Sequence, residues 1–293
     1  MSARSNENRL GVDEALLEHQ EAPPMEAANG AVPDPQLKFV IPTDFVALPS
    51  KGRFYPPNHP LHNKEVIEVR HMTAKDEDIL TSTTLLKQGV ALDRMLQNLL
   101  VDKTVNVKDL VLGDKNALIV STRINGYGAA YLTEIGCPSC GAKQEYSFDL
   151  SSLETNEVPE VLLEEYDITI SPNSTFLLPL PKTEYTIELK LLSGHDEEKL
   201  TSMAKSKKKH RLMETTTTDQ LKAIIVSVNG VSDRSIINEF IGVLPAIDSR
   251  YIRRIYQKIM PTVDLAHDFT CGECGHESRL EVPFTTDFFW PVR

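Results

Sequence analysis

The chain has 293 residues, 41% of them hydrophobic and 25% charged, and a formal net charge of −11. This excludes a disordered or fibrous composition, allows one large core or two modest ones, and argues against nucleic acid as a principal partner, since phosphate binding rests on clustered Lys and Arg. No stretch approaches the roughly 20 apolar residues that span a bilayer, and the opening MSARSNENRLGVDEALLE lacks an apolar signal core, so no membrane partner and no export are expected. Residues 1–36 carry seven acidic residues against two basic ones, four prolines and no aromatic ring, which predicts a flexible acidic arm.

Residues 37–65 read as a proline-rich extended strap. LKFVIPTDFVALPSKGRFYPP is interrupted by Pro42, Pro49, Pro56 and Pro57, which deny a helix, and Phe39, Phe45, Phe54 and Tyr55 predict docking on a surface. Residues 66–150 read as a helical region that ends in a hairpin. A short strand over 66–70 leads to a helix through AKDEDILTSTTLLKQ, with Thr73 and Asp76 at capping-box spacing and Gly89 as its stop. ALDRMLQNLLVD predicts a second helix with Leu92, Met95, Leu96 and Leu99 facing the core. A third should run from Val107 through GDKNALIVSTRINGYG and end at Gly126 and Gly128, before strands over 131–136 and 144–149 flank CPSCG.

Residues 151–262 read as an inserted α+β region. TEYTIELKLL alternates as a strand, Ser193 or Asp196 caps the helix after it, and that helix fades into the basic run KSKKKHR. Thr217 with Gln220 marks another helix start, and further helices are expected over 221–228, 233–241 and 248–260. Residues 263–293 supply a second hairpin around CGECG and the aromatic tail FTTDFFWPVR, which must fold back into the core or insert into another subunit.

The four cysteines form two pairs, Cys137-Pro-Ser-Cys140-Gly and Cys271-Gly-Glu-Cys274-Gly. Each pair places two thiolates inside a tight turn, and the following glycine permits the backbone that such turns need. Zinc takes four thiolates at about 2.3 Å, so two facing knuckles complete a closed site. Cys137, Cys140, Cys271 and Cys274 are therefore the expected ligands of a structural Zn²⁺, although 130 residues lie between the pairs. Closing so long a loop costs only slowly more entropy with length, and structural zinc returns on the order of 10 kcal/mol. A redox pair, which would normally open a helix, and an unmetallated cluster are the alternatives. His267 and His276 flank the second knuckle and are read as outer or surface residues. The predicted fold class is α+β: a helical core with a split zinc ribbon formed by two distant CxxC hairpins, and a flexible N-terminal arm.

No P-loop, GxSxG, HExxH or GxGxxG occurs, so no catalytic or cofactor-binding residue is expected and the chain is not predicted to be an enzyme. His195 in SGHDEE reads as part of an acid-rich helix start. The basic run is solvated charge or a salt-sensitive contact with a neighbouring protein.

LPSKGRFYPP, MTAKDEDIL, GDKNALIVSTRINGYG, CPSCG, CGECG and FFWP, in that order from Leu37 to Arg293, resemble the baseplate hub assembly and structural protein family of contractile-tailed bacteriophages. The resemblance implies a late virion or assembly component of the tail baseplate, put together in the host cytoplasm, without enzymatic activity. Its implied partners are other baseplate and tail proteins, with self-association left open. Gly113, Asp114, Arg123, Gly126, Tyr127 and Gly128 fall on the family's central motif, and a buried Arg123–Asp114 pair is the expectation there. A nucleic-acid-binding zinc-ribbon protein is the alternative reading.

Overall fold

The computed structural model describes residues 40–284 together with Phe288 and Phe289. The arm expected over 1–36, Phe39, Trp290 and Pro291 lie outside the described residues. Order along the proline-rich segment begins as a strand, β1 (Thr43–Ala47), paired antiparallel with β2 (Val66–Arg70) so that Thr43 faces Arg70 and Ala47 faces Val66. Alternation buries Val46, Ile67 and Val69 and turns Phe45 outward, where it is 69% exposed. The expected docking of Phe45 is thus incorrect, because its strand position has the wrong parity. Phe54 and Tyr55 are buried, held by a looped segment in which Asn63 donates its N–H to Gly52 O (3.0 Å).

The first expected helix is two helices, α1 (Ala74–Thr81) and α2 (Thr83–Gln88), broken at Ser82. The hydroxyl-rich run Thr81–Thr84 competes with the helical ladder, and Thr81 Oγ1 donates back to Glu77 O (3.0 Å). Asp76 accepts from Thr73 N–H (2.9 Å) at the start of α1, and Gly89 ends α2 with φ of 74°. Helix α3 (Ala91–Leu99) buries Met95, Leu96 and Leu99, leaving Leu92 partly buried at the edge.

The third helix starts later than expected. A short 3-10 turn over Val107–Asp109 precedes α4 (Leu112–Tyr127), which ends at Gly128 with φ of 84° while Gly126 stays within it. Nine of its sixteen residues are buried. Gly113 explains how it enters the core: a Cβ there would lie 1.9 Å from Pro261 O, so only glycine lets the helix approach that backbone.

Strands β3 (Ala130–Gly136) and β4 (Lys143–Asp149) make the first hairpin, with Gly136 opposite Lys143. Next come β5 (Thr155–Asn156), α5 (Glu160–Glu165), β6 (Thr169–Ile170), β7 (Phe176–Pro179) and β8 (Thr186–Leu189). Helix α6 (Gly194–Lys209) is capped by Ser193, whose hydroxyl accepts from Asp196 N–H while Asp196 accepts from Ser193 N–H (3.1 Å). Helix α7 (Thr216–Ile224) begins after Thr215, so the expected Thr217–Gln220 box does not form.

The helix expected over 221–228 ends at Ile224. Ile225–Val228 is instead β9, the outer partner of an antiparallel four-stranded sheet ordered β6-β7-β8-β9. The β-branched run Ile-Val-Ser-Val suits a pleated surface, which a helical reading of its apolar residues overlooks. Helices α8 (Arg234–Val243) and α9 (Ala246–Ile259) follow, then β10 (Thr262–Val263), which pairs with β5, and the second hairpin, β11 (Ala266–Thr270) and β12 (Glu277–Glu281). One apolar cluster runs from Val46 to Phe289 through α3, α4, the four-stranded sheet and α9, and a small second cluster of Cys137, Phe269 and Cys271 lies at the hairpin tips. Among the described residues, no helix is long and apolar enough to cross a membrane.

Candidate metal centre

The two CxxC turns are built alike. In the first, Cys137 N–H donates to Ala142 O (2.8 Å) and Gly141 N–H to Cys137 O (2.9 Å); in the second, Cys271 N–H donates to His276 O (2.9 Å) and Gly275 N–H to Cys271 O (2.9 Å). Gly141 and Gly275 take φ of 73° and 67°, the left-handed backbone that closes each turn. Cys137 and Cys271 are buried, whereas Cys140 and Cys274 are exposed.

Strand alternation sets the hairpins face to face. Gln144, Tyr146 and Phe148 share one side of β4, and all three reach the second hairpin. Gln144 Oε1 accepts from Gly272 N–H (3.0 Å), Tyr146 OH donates to Asp268 O (2.8 Å), and the Tyr146 ring meets Phe269 edge-on at 5.7 Å. Phe148 meets the His267 ring at 5.3 Å. His267 is therefore part of the packing between hairpins, and the carbonyl of His276 shapes the second turn.

Through these contacts the four sulfurs converge, all within 4.8 Å of one another. Cys137 Sγ lies 3.8 Å from Cys274 Sγ, and Cys140 Sγ lies 3.8 Å from Cys271 Sγ. A disulfide needs about 2.0 Å. By contrast, a tetrahedron with metal–sulfur bonds of about 2.3 Å has edges of about 3.8 Å. The donor set and spacing thus fit a four-coordinate thiolate-bound metal ion.

Electrostatics agrees. The amides of Cys140 and Ser139 aim at Cys137 Sγ, and with the neighbouring thiols of Cys140 and Cys271 they lower its pKa to about 6. Cys274 goes the other way: the His276 amide favours its thiolate, yet the thiols of Cys140, Cys271 and Cys137 around it push its pKa up to about 12. Four sulfurs this close cannot all ionise alone, and a bound cation relieves that repulsion.

The central motif residues serve two other tasks. Asp114 accepts from Ser50 N–H (2.9 Å), Ser50 Oγ (2.5 Å) and Tyr55 OH (2.7 Å), anchoring the proline-rich segment to α4. Burial raises the Asp114 pKa against those donors. Arg123 does not pair with Asp114, contrary to expectation. It donates through Nε to Phe288 O (2.6 Å), Nη1 to Gly128 O (2.6 Å) and Nη2 to Ala130 O (3.0 Å). Phe288 is buried edge-on to Tyr131 at 5.1 Å, so the described part of the aromatic tail folds back into the core. Neither network has a sequence signature, since Ser50 and Phe288 are distant in the chain from the residues they join. His195 pairs with Asp109 at 3.1 Å on the surface.

Compared with known protein families, residues 44–290 match the family described as T4 bacteriophage base plate protein. The chain belongs to this family. No curated protein and no solved structure matches it. Membership in the base plate family makes the chain a component of a phage tail baseplate with other tail proteins as its partners, in agreement with the resemblance of its motifs. The family match spans both CxxC hairpins, the Asp114 network and Arg123.

Proposed function

We propose that the chain is a zinc-stabilised structural or assembly protein of the baseplate hub, acting through protein–protein contacts and not as an enzyme. Zn²⁺ held by Cys137, Cys140, Cys271 and Cys274 locks the two hairpins against each other. The observation that carries this reading is the convergence of four sulfurs with two 3.8 Å edges, in a chain of the base plate family. Four thiolates select a borderline-soft ion and leave no ligand position for a substrate or water, which suits a brace better than a catalyst.

No step of chemistry is needed from the protein. Its residues hold the metal, and the metal holds surfaces on both hairpins in a fixed arrangement for neighbouring subunits. Elemental analysis of the protein purified without added metal tests the zinc assignment, with one zinc per chain expected; iron in its place, or no metal, overturns it. Hub location is tested by cross-linking mass spectrometry of assembling tails, where cross-links confined to the baseplate periphery would remove that part of the proposal.

A further inference from the structure

Several cations of this protein meet a carboxylate. Lys115 bridges Asp93 and Glu197, Lys190 meets Asp196, Lys207 meets Asp219 and Arg70 meets Asp76. Helix α9 departs from this pattern. Arg250, Arg253 and Arg254 are exposed at i, i+3 and i+4 on one face, and none has a carboxylate within ion-pair distance among the described residues. The acid on the same helix, Asp248, is buried and accepts from the N–H groups of Lys182 and Thr183, both at 3.0 Å. Three like charges at this spacing repel one another and weaken the helix unless a counter-charge arrives.

These arginines line one side of a groove of about 580 Å³. Leu112 at the start of α4 and Leu192 before α6 supply an apolar wall to it, beside Gln220 and the buried Ile224 of α7. The chain as a whole carries −11, so this is a local positive strip beside an apolar wall on an acidic molecule. We infer that the groove binds an acidic segment of a partner protein, its carboxylates on Arg250, Arg253 and Arg254 and its apolar side chains against Leu112 and Leu192. Arginine forks donate paired hydrogen bonds to carboxylates, which gives such a site direction as well as charge. A phosphodiester chain satisfies the arginines but offers nothing to the apolar wall. This inference goes beyond the zinc and hub readings and stands without them.

The test uses the full chain and a fluorescent peptide of about 16 residues with leucine at helical spacing and glutamate elsewhere. Anisotropy should show binding that weakens from about 50 to about 500 mM salt. It should weaken at least about tenfold in R250A/R253A/R254A and also when the peptide's leucines become serine. The single variants Arg250→Ala, Arg253→Ala and Arg254→Ala should each weaken binding about severalfold, which keeps the test intact if the triple variant folds poorly. Undiminished binding by the variants, tighter binding of an oligothymidine of equal charge, or no binding of the peptide would each overturn the inference.

Discussion

Replacing Arg123 with methionine keeps most of the side-chain stem and removes the guanidinium, so it isolates what the three hydrogen bonds contribute. Arg123 is completely buried, and its partners are backbone carbonyls of Phe288, Gly128 and Ala130. A buried acceptor left without a donor costs about 1–3 kcal/mol, so three would set an upper bound of about 9 kcal/mol. Water entering from the Gly128 side and packing by the methionine offset part of that, leaving about 3–5 kcal/mol. At about 2–4 °C per kcal/mol for a chain of this size, Tm should fall by about 6–20 °C. The loss has an address as well as a size. Phe288 O loses its donor, so chymotrypsin should cut at Phe288 or Phe289 faster in Arg123→Met than in the parent, with the core helices still protected. A Tm within about 2 °C of the parent, together with unchanged cleavage there, would refute the clasp.

Three further outcomes are expected. Gly113→Ala should destabilise by at least about 3 kcal/mol in urea unfolding, because its Cβ would sit 1.9 Å from Pro261 O and backbone cannot swing aside as a flexible side chain can; a neutral effect would contradict the close approach of α4. Burial alone would raise the Asp76 carboxyl, yet donors from Arg70, Thr73 and Asn98 pull its pKa down to about 2, below its unfolded value. That stabilisation of about 2 kcal/mol is complete above about pH 4 and is lost as pH falls towards 2, so the stability gap between the parent and Asp76→Asn should narrow over that window; a gap independent of pH would count against it. Cys137→Ser combined with Cys274→Ser should abolish metal binding measured by elemental analysis and lower Tm, and a variant that keeps stoichiometric metal would exclude these sulfurs as ligands.

What could be read from the sequence follows from the range of the interactions. The capping pair Thr73–Asp76, the stop at Gly89, the core face of α3 and both CxxC hairpins rest on residues a few positions apart, and composition and spacing expose them. Local sequence misleads where a neighbour far along the chain decides. The Ile225–Val228 segment becomes a strand because β8 offers an edge, and Phe45 faces outward because pairing with β2 sets Val46, opposite Ile67, on the core side. Arg123 and Asp114 lie nine positions apart on one helix, which suggested a pair, but each has better partners from elsewhere: Asp114 from Ser50 and Tyr55, Arg123 from Phe288. The cysteine cluster was legible because two short motifs of the same CxxCG pattern with soft donors have few uses together. The residues that press the hairpins into contact, Gln144, Tyr146 and Phe148, carried only a period-two signal that did not say what they would face.

The two hairpins approach at their tips through four sulfurs and meet lower down through rings. Tyr146 with Phe269, Phe148 with His267, and the Tyr146–Asp268 hydrogen bond join the hairpins through groups other than the thiols. The tip cluster of Cys137, Phe269 and Cys271 is also separate from the main apolar cluster. The proposed metal would act on the last turns of each hairpin, where four ionisable sulfurs crowd together, while Arg123 and the Asp114 network hold the tail and the proline-rich segment on α4. On the proposed reading, the surfaces that the ion would fix are those carried on the exposed turns at Cys140 and Cys274, because those two sulfurs are the exposed members of the cluster.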